Sequence, residues 1–270
     1  MPIITISRGS FSGGKKLAEC LSRRLGFRTI DRDVIVQRAA TYGVSEQELQ
    51  EALEKPPSFL ERFQHKRYRY LAILQAALAE EVCPGKVIYH GHAGHLLLKG
   101  GSPVLRVRVI APLEMRIQMA QERLNVGRNE ALAYIKKVDE QRRRWTQFLY
   151  GVDWTDASLY DLVINLEHID IPHACQIVAD AVKGQKCFEY DEKCRDRMRD
   201  FLVASKVKAN LAINDATADL EVDVDCTDGV VAISGRIPRV ELAPEVERIA
   251  MSVPGVTKVD LSNLTPPVPD

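Results

Sequence analysis

No Cys-x-x-Cys pair occurs among the six cysteines, which stand at 20, 83, 175, 187, 194 and 226. That spacing excludes a zinc-ribbon site, and scattered single cysteines fit a reducing compartment. No apolar run approaches the roughly 20 residues that cross a bilayer as a helix, so the chain reads as not transmembrane. Net charge is missing too, since 37 basic and 37 acidic residues cancel. No long basic stripe interleaved with aromatics is present, so nucleic acid is not an expected partner. The start, MPIITIS, passes directly into a strand without a basic n-region or a cleavage site. The expected location is cytoplasmic. Residues 201–270 contain no histidine and a single cysteine, with their acids scattered along strand faces, so chemistry is not expected there.

What is present begins at residue 4. ITISRGSFSGGKKLAE joins an apolar β-branched run, a Gly/Ser-rich turn and a helix opening. Strand, loop and helix in that order build a phosphate cradle: glycines let backbone N–H groups point inward, and the helix N-terminus adds partial positive charge. Three of the four fixed places of G-x-x-x-x-G-K-[ST] are met, by Gly9, Gly14 and Lys15. The fourth should offer magnesium a hydroxyl and carries Lys16 instead.

The length, 270 residues, suits two domains. Charge is unevenly spread between them. Residues 1–200 hold 31 basic and 26 acidic residues, a net of +5; residues 201–270 hold six and eleven, a net of −5. A mildly basic body suits phosphorylated small molecules. Expected elements are a strand at 2–6, a helix at 14–25 closed by Gly26, an extended FRTID and a helix opening in DRDVIVQRAA. Ser45 and Glu48 have capping-box spacing, Pro56-Pro57 breaks the chain, and 58–82 reads as a long helix. Strands follow at KVIYH, 105–112 and 161–166, with helices at 112–124, 128–149 and 172–183. Strands alternating with helices at these lengths imply a mostly parallel sheet.

Composition changes near 184. Eleven of the eighteen residues in 183–200 are charged, as in a linker or the solvated start of a helix. Beyond it the order is helix (196–213), strand (219–225), a Thr227-Asp228-Gly229 turn, strand (230–235), helix (241–252) and strand (256–262). The expected organisation is therefore 1–184, a charged linker at 185–199, a small αββαβ domain at 200–264 and a tail at 265–270.

ITISRGSFSGG, IDRDVI, GHAGHLL, VRVIAPLEMRI, IKKVDEQRRRW and DWTDASLYDLVIN occur in that order between residues 4 and 183. Together they resemble the cytidylate-kinase-like family of P-loop proteins. The resemblance implies an α/β fold, a P-loop NTPase parallel sheet flanked by helices. It also implies transfer of a phosphoryl group from ATP, with Mg²⁺, to a nucleoside monophosphate, CMP or dCMP first. Members of that branch often carry Arg in the Walker-lysine place and lack the hydroxyl after it, so Lys16 fits. KVKANLAIN, LEVDVDCTDGVVAISGRI and VERIAMSVPGVTKVDLSNL resemble a BON domain, a family associated with binding lipid surfaces or small ligands. A net of −5 argues against anionic lipid.

The candidate residues each have a functional reading and a plainer one. The loop Gly9, Ser10, Ser12, Gly13, Gly14 and Lys16 would hold donor phosphates, or form an ordinary turn. Ser12 is as well suited to stabilising that turn as to touching phosphate. Lys15, then Arg8, would place positive charge on the β/γ oxygens. Asp31, Arg32 and Asp33 would face the acceptor, or cap a helix at 34–40. His90, His92 and His95 have a metal-like spacing, but no nearby Cys or acid completes a set. In the resembling family the place of His92 is usually Arg, facing the acceptor. Arg142 and Arg123 resemble a lid closing over the phosphoryl group, and Asp139, three residues before Arg142 in the same region, would stand among the acceptor-binding residues. Arg116, Arg128, Arg143 and Arg144 belong to the same charged stretch, which otherwise reads as a solvated helix face. Asp153-Trp154 is a signature of the family, and Asp161 would lie near a base pocket. The alternative to an enzyme is a catalytically weak nucleotide sensor coupled to the BON-like domain.

Overall fold

The computed structural model describes residues 2–49, 64–91, 93–101, 103–184, 188 and 191–265, without the side chains of 64–67, 148 and 149. Five parallel strands form the larger sheet: β1 (Ile3–Arg8), β2 (Arg28–Asp31), β3 (Val87–His90), β4 (Val104–Ile110) and β5 (Leu162–Asn165). Their order is β2-β3-β1-β4-β5. β1 is central, with β3 on one side and β4 on the other, which is why Ile3, Ile4, Thr5 and Ile6 are all buried. A strand covered on both faces reads as a continuous apolar run, as IITI does. β4 alternates instead: Leu105, Val107 and Val109 enter the core, while Arg106 and Arg108 take the opposite face.

α1 (Gly14–Leu25) and α7 (Ile171–Gly184) cover one face of the sheet. Leu17, Ala18 and Leu21 of α1 meet Ala174, Cys175 and Val178 of α7 in one core. Full burial stabilises each leucine by roughly 1.5–3 kcal/mol. α2 (Arg32–Ala40) and α3 (Gln64–Val82) pack together beside β2 and β3 in a second core. α4 (Gly94–Leu97) is a single turn after β3. α5 (Leu113–Leu124) and α6 (Arg128–Tyr150) pack against each other, with Ile117, Ala120, Ala131 and Ile135 between them. The expected helix at 45–54 is seen over 46–49, where Glu48 N–H donates to Ser45 Oγ at 3.1 Å; 50–63 lie outside the described residues.

The second unit runs α8 (Glu192–Ile213), β6 (Val222–Thr227), β7 (Val230–Arg236), α9 (Ala243–Met251) and β8 (Lys258–Thr265). β7 is central, antiparallel to β6 and parallel to β8. This is the αββαβ order read from the sequence. Asp191 caps α8, its carboxylate accepting from Cys194 N–H at 2.8 Å, so residues 192–199 form the helix's first two turns. α8 is shared between cores: Val207 and Leu211 pack with β6 and β7, whereas Met198 and Ala209 pack with α2 and α3. Among the described residues no helix is long and apolar enough to cross a membrane.

Candidate functional site

β1 delivers the chain to residues 9–13 at the C-terminal end of the sheet, and α1 leaves from there. Gly13 has φ +87°, and a Cβ on it would stand 2.7 Å from Leu166 Cδ1. A Cβ on Gly14 would overlap the Arg8 side chain. Both positions therefore require glycine. α1 opens with no side-chain cap and no acid in its first turn. Its leading N–H groups are left to an anion. Lys15 and Lys16 are exposed in that turn, where cationic side chains oppose the helix dipole.

Ser12 is buried, with Oγ 2.9 Å from Gly9 O and 3.1 Å from Val109 O, so its hydroxyl ties the loop to β4. Ser10 joins the loop to α6. Asp139 Oδ1 accepts from both Ser10 N–H and Ser10 Oγ, each at 3.0 Å. Arg116 pairs with the other oxygen of Asp139 and donates from Nε to Ser10 O at 2.7 Å. Asp139, expected among acceptor-binding residues, thus stands in contact with the phosphate loop. Arg142, one turn on, donates from Nη1 to Arg8 O at 2.9 Å.

Arginines converge at this mouth. Burial, then Arg8, pushes the Arg142 guanidinium down to about 10, with Arg32 and Arg116 adding to the repulsion. Arg8 is lowered by burial and then by Arg123, and its Nε is buried without a hydrogen-bond partner. Five guanidiniums, of Arg8, Arg32, Arg116, Arg123 and Arg142, face two carboxylates, Asp31 and Asp139.

On the β3 side, Asp31 accepts from Asp33 N–H at 3.1 Å and Val34 N–H at 3.2 Å, capping α2. Its electrostatic reach extends to Arg8 and Tyr89. Arg32 is half-buried beside Tyr89, and Asp33 is exposed in the first turn of α2. Tyr89 is buried among Arg32, Arg8 and Arg142, with burial the main cause of a phenol pKa near 12. Sequence reasoning passed over it. His90 ends β3 next to Asp31, and burial followed by Arg8 lowers its pKa. His92 lies outside the described residues. His95 faces away, its ring centroid 4.7 Å from that of Tyr160.

Other candidates are engaged in pairs of their own. Asp161 binds Arg106, with Nη2 to Oδ1 at 2.6 Å, immediately before β5. Arg143 and Arg144 both bind Glu140 at 2.8 Å, and Arg128 binds Glu114 at 2.6 Å, as solvated helix pairs. Beside the loop runs a cleft of about 540 Å³, lined among others by Gly9, Ser12, Arg108, Arg116, Asp139 and Trp154. The Arg108 guanidinium lies 5.1 Å from the Trp154 ring.

The cytidylate kinase-like family matches residues 3–168, where the loop, the arginines and the sheet are found. The chain belongs to that family. A BON domain matches residues 199–265. A cytidylate kinase of Thermococcus sibiricus is 32% identical over 164 residues, covering 60% of this chain and 78% of that protein. A cytidylate kinase of Methanocaldococcus jannaschii is 27% identical over 188 residues, covering 68% and 99%. The crystal structure of an uncharacterized protein from Eubacterium ventriosum superposes with a TM-score of 0.52 at 16% identity, over 68% of this chain and 100% of that one, and shows the fold. These relatives support a nucleoside monophosphate kinase activity, hence a phosphotransferase. A kinase family implies ATP, whose triphosphate fits the uncapped α1 terminus and the surrounding guanidiniums. It typically implies Mg²⁺ as well. Here the residue after Lys15 offers no hydroxyl, and among the described residues no group of three or more His, Cys, Asp or Glu is placed to hold a metal. A kinase's Mg²⁺ is held through nucleotide phosphates and waters with one or two protein oxygens at most, so no all-protein cage is required here.

Proposed function

We propose that this kinase transfers the γ-phosphoryl group of ATP to a nucleoside monophosphate, with CMP or dCMP the favoured acceptor. The observation that carries the reading is the cluster of five guanidiniums against two carboxylates at the loop mouth. Such a surplus of positive charge, half-buried except at the exposed Arg123, is stabilised by phosphate, and phosphoryl transfer is catalysed mainly by positioning and electrostatics. The loop N–H groups, Lys15 and Arg8 hold the β/γ-phosphates. Asp31 and Arg32, with His92, meet the acceptor. An acceptor phosphate oxygen forms the new bond to the γ-phosphorus as the bond to the β–γ bridging oxygen breaks, leaving ADP and a nucleoside diphosphate. Arg142 and Arg123 neutralise the charge that develops on the transferring oxygens.

A second reading, a nucleotide sensor with little turnover, is favoured by Lys16 at the hydroxyl place of the motif. Arg142→Ala separates the two. The enzyme reading expects turnover to fall by about 10²–10³ while ATP affinity stays within about threefold. Equal turnover in Arg142→Ala and the unaltered protein contradicts the role given to Arg142. Unaltered protein that is folded and binds ATP but yields no diphosphate supports the sensor.

A further inference from the structure

β3 buries a tyrosine at the edge of the proposed acceptor site. Tyr89 is 4% exposed and packs in the core shared with α2 and α3. In the sheet it pairs with Thr5 of β1 and with Ile30 of β2, and the next pair on the β2 side is His90 with Asp31. The start of α2 is therefore fixed to β3 one residue beyond Tyr89. Because β3 lies between β1 and β2, its end stands between the phosphate loop and Asp31.

The Tyr89 side chain leans past the end of its strand. A Cβ on Gly91 would overlap Tyr89 Oη and Cζ, and a Cβ on Gly94, the first residue of α4, would overlap Cδ1 and Cε1. Both glycines thus meet the same edge of one ring, and a buried ring has little room to yield. Neither glycine has a positive φ, so close approach to the ring, not backbone conformation, excludes a side chain there. Gly91 N–H donates to Ile6 O at 3.3 Å, which ties the chain after β3 to β1 just before Arg8. Ala93 holds φ +58°, a conformation that is costly for alanine and persists only where its surroundings impose it. The phenol is neutral, its pKa near 12 mainly through burial, and it occupies space beside Arg32, Arg8 and Arg142 without adding charge.

We infer that Tyr89 is a positioning residue for the acceptor: its ring seats the Gly91 and Gly94 backbone against the end of the sheet, beside Asp31 and Arg32, before any nucleotide arrives. Acceptor binding then bears no cost of ordering this backbone. The ring acts through the backbone it seats, not by touching nucleotide. The inference rests on the proposed reading that the acceptor binds at Asp31 and Arg32.

The test measures equilibrium binding of CMP and the other nucleoside monophosphates, and separately of ATP. It compares unaltered full-length protein with Tyr89→Val, Tyr89→Phe, Gly94→Ala and the double variant Tyr89→Val with Gly94→Ala. Tyr89→Val removes the ring and keeps a strand-forming residue. Its acceptor dissociation constant is expected to rise about 3- to 10-fold with ATP affinity unchanged, and Tyr89→Phe, which keeps the ring, to restore the acceptor value. Gly94→Ala is expected to weaken acceptor binding by itself and to add nothing beside Tyr89→Val, where the ring it would meet is gone. Unchanged acceptor affinity in Tyr89→Val overturns the inference, as does a Tyr89→Phe protein that fails to restore it. Equal losses for acceptor and ATP, or additive losses in the double variant, overturn it too. Where a variant does not fold, amide hydrogen exchange on the unaltered protein decides. Gly91, Leu97 and Leu98, whose N–H groups donate to the Ile6, Ala93 and Gly94 carbonyls, are expected to exchange slowly without nucleotide. Fast exchange there that slows only with CMP overturns the inference. If the unaltered protein binds no nucleoside monophosphate, the acceptor reading fails first and the inference falls with it. That outcome is distinct from a protein that binds acceptor and ignores the ring.

Discussion

Asp139 and His95 show what a single side chain does in this fold. Asp139 spends one oxygen on Ser10 and the other on Arg116, so a helix turn and the phosphate loop move as one. Its place three residues before Arg142 was visible in the sequence, but a contact spanning 129 residues to Ser10 was not, because no local period encodes it. His95 carries a pH signature. Burial, ahead of repulsion from Arg106, pushes its imidazole from 6.5 down to about 4. The folded chain then refuses a proton that the unfolded chain accepts below 6.5. The neutral ring's contribution is intact above 6.5 and is lost as the pH falls towards 4. Between pH 7 and 5 the loss is about 2 kcal/mol. Denaturant unfolding of the unaltered protein and His95→Gln at both pH values checks this: the variant should lose less stability on acidification, and an equal loss contradicts the assignment.

Among elements, α2 is the most informative, because its first residues were open to two readings. Asp31 was a candidate acceptor ligand or a helix cap, and it caps, accepting from Asp33 and Val34 N–H. Capping does not exclude the other role, since Asp31 also reaches Arg8 and Tyr89. Two substitutions separate them. Asn caps nearly as well as Asp, whereas Ala forfeits about 1 kcal/mol. Asp31→Ala is expected to lower stability by that amount and to weaken acceptor binding; Asp31→Asn is expected to keep stability and lose acceptor affinity. If Asp31→Asn matches the unaltered protein in both thermal melting and acceptor binding, the residue is a cap alone. β1, β4, α1 and α6 were legible because their apolar spacing sufficed. The start of α8 was not: charged residues 192–199 read equally as linker or solvated helix. Asp191 decides for helix with one cap, and Met198 gives the turn a buried face.

At the scale of the whole molecule, the sequence break near residue 184 separates two families but not two independent bodies. α8 supplies apolar side chains to both cores, and its Lys206 pairs with Glu80 of α3 at 2.8 Å. Charge follows the same division: residues 1–200 carry +5, with an arginine surplus at the loop mouth, and residues 201–270 carry −5. That arginine surplus is the basis for reading the protein as a working phosphotransferase despite Lys16. The most direct test is diphosphate formation from ATP and Mg²⁺ with each nucleoside monophosphate, CMP and dCMP included, beside Lys15→Ala. The account predicts a nucleoside diphosphate, most readily from CMP or dCMP, that disappears with Lys15. A folded protein that binds ATP and forms no diphosphate from any of these acceptors would contradict it.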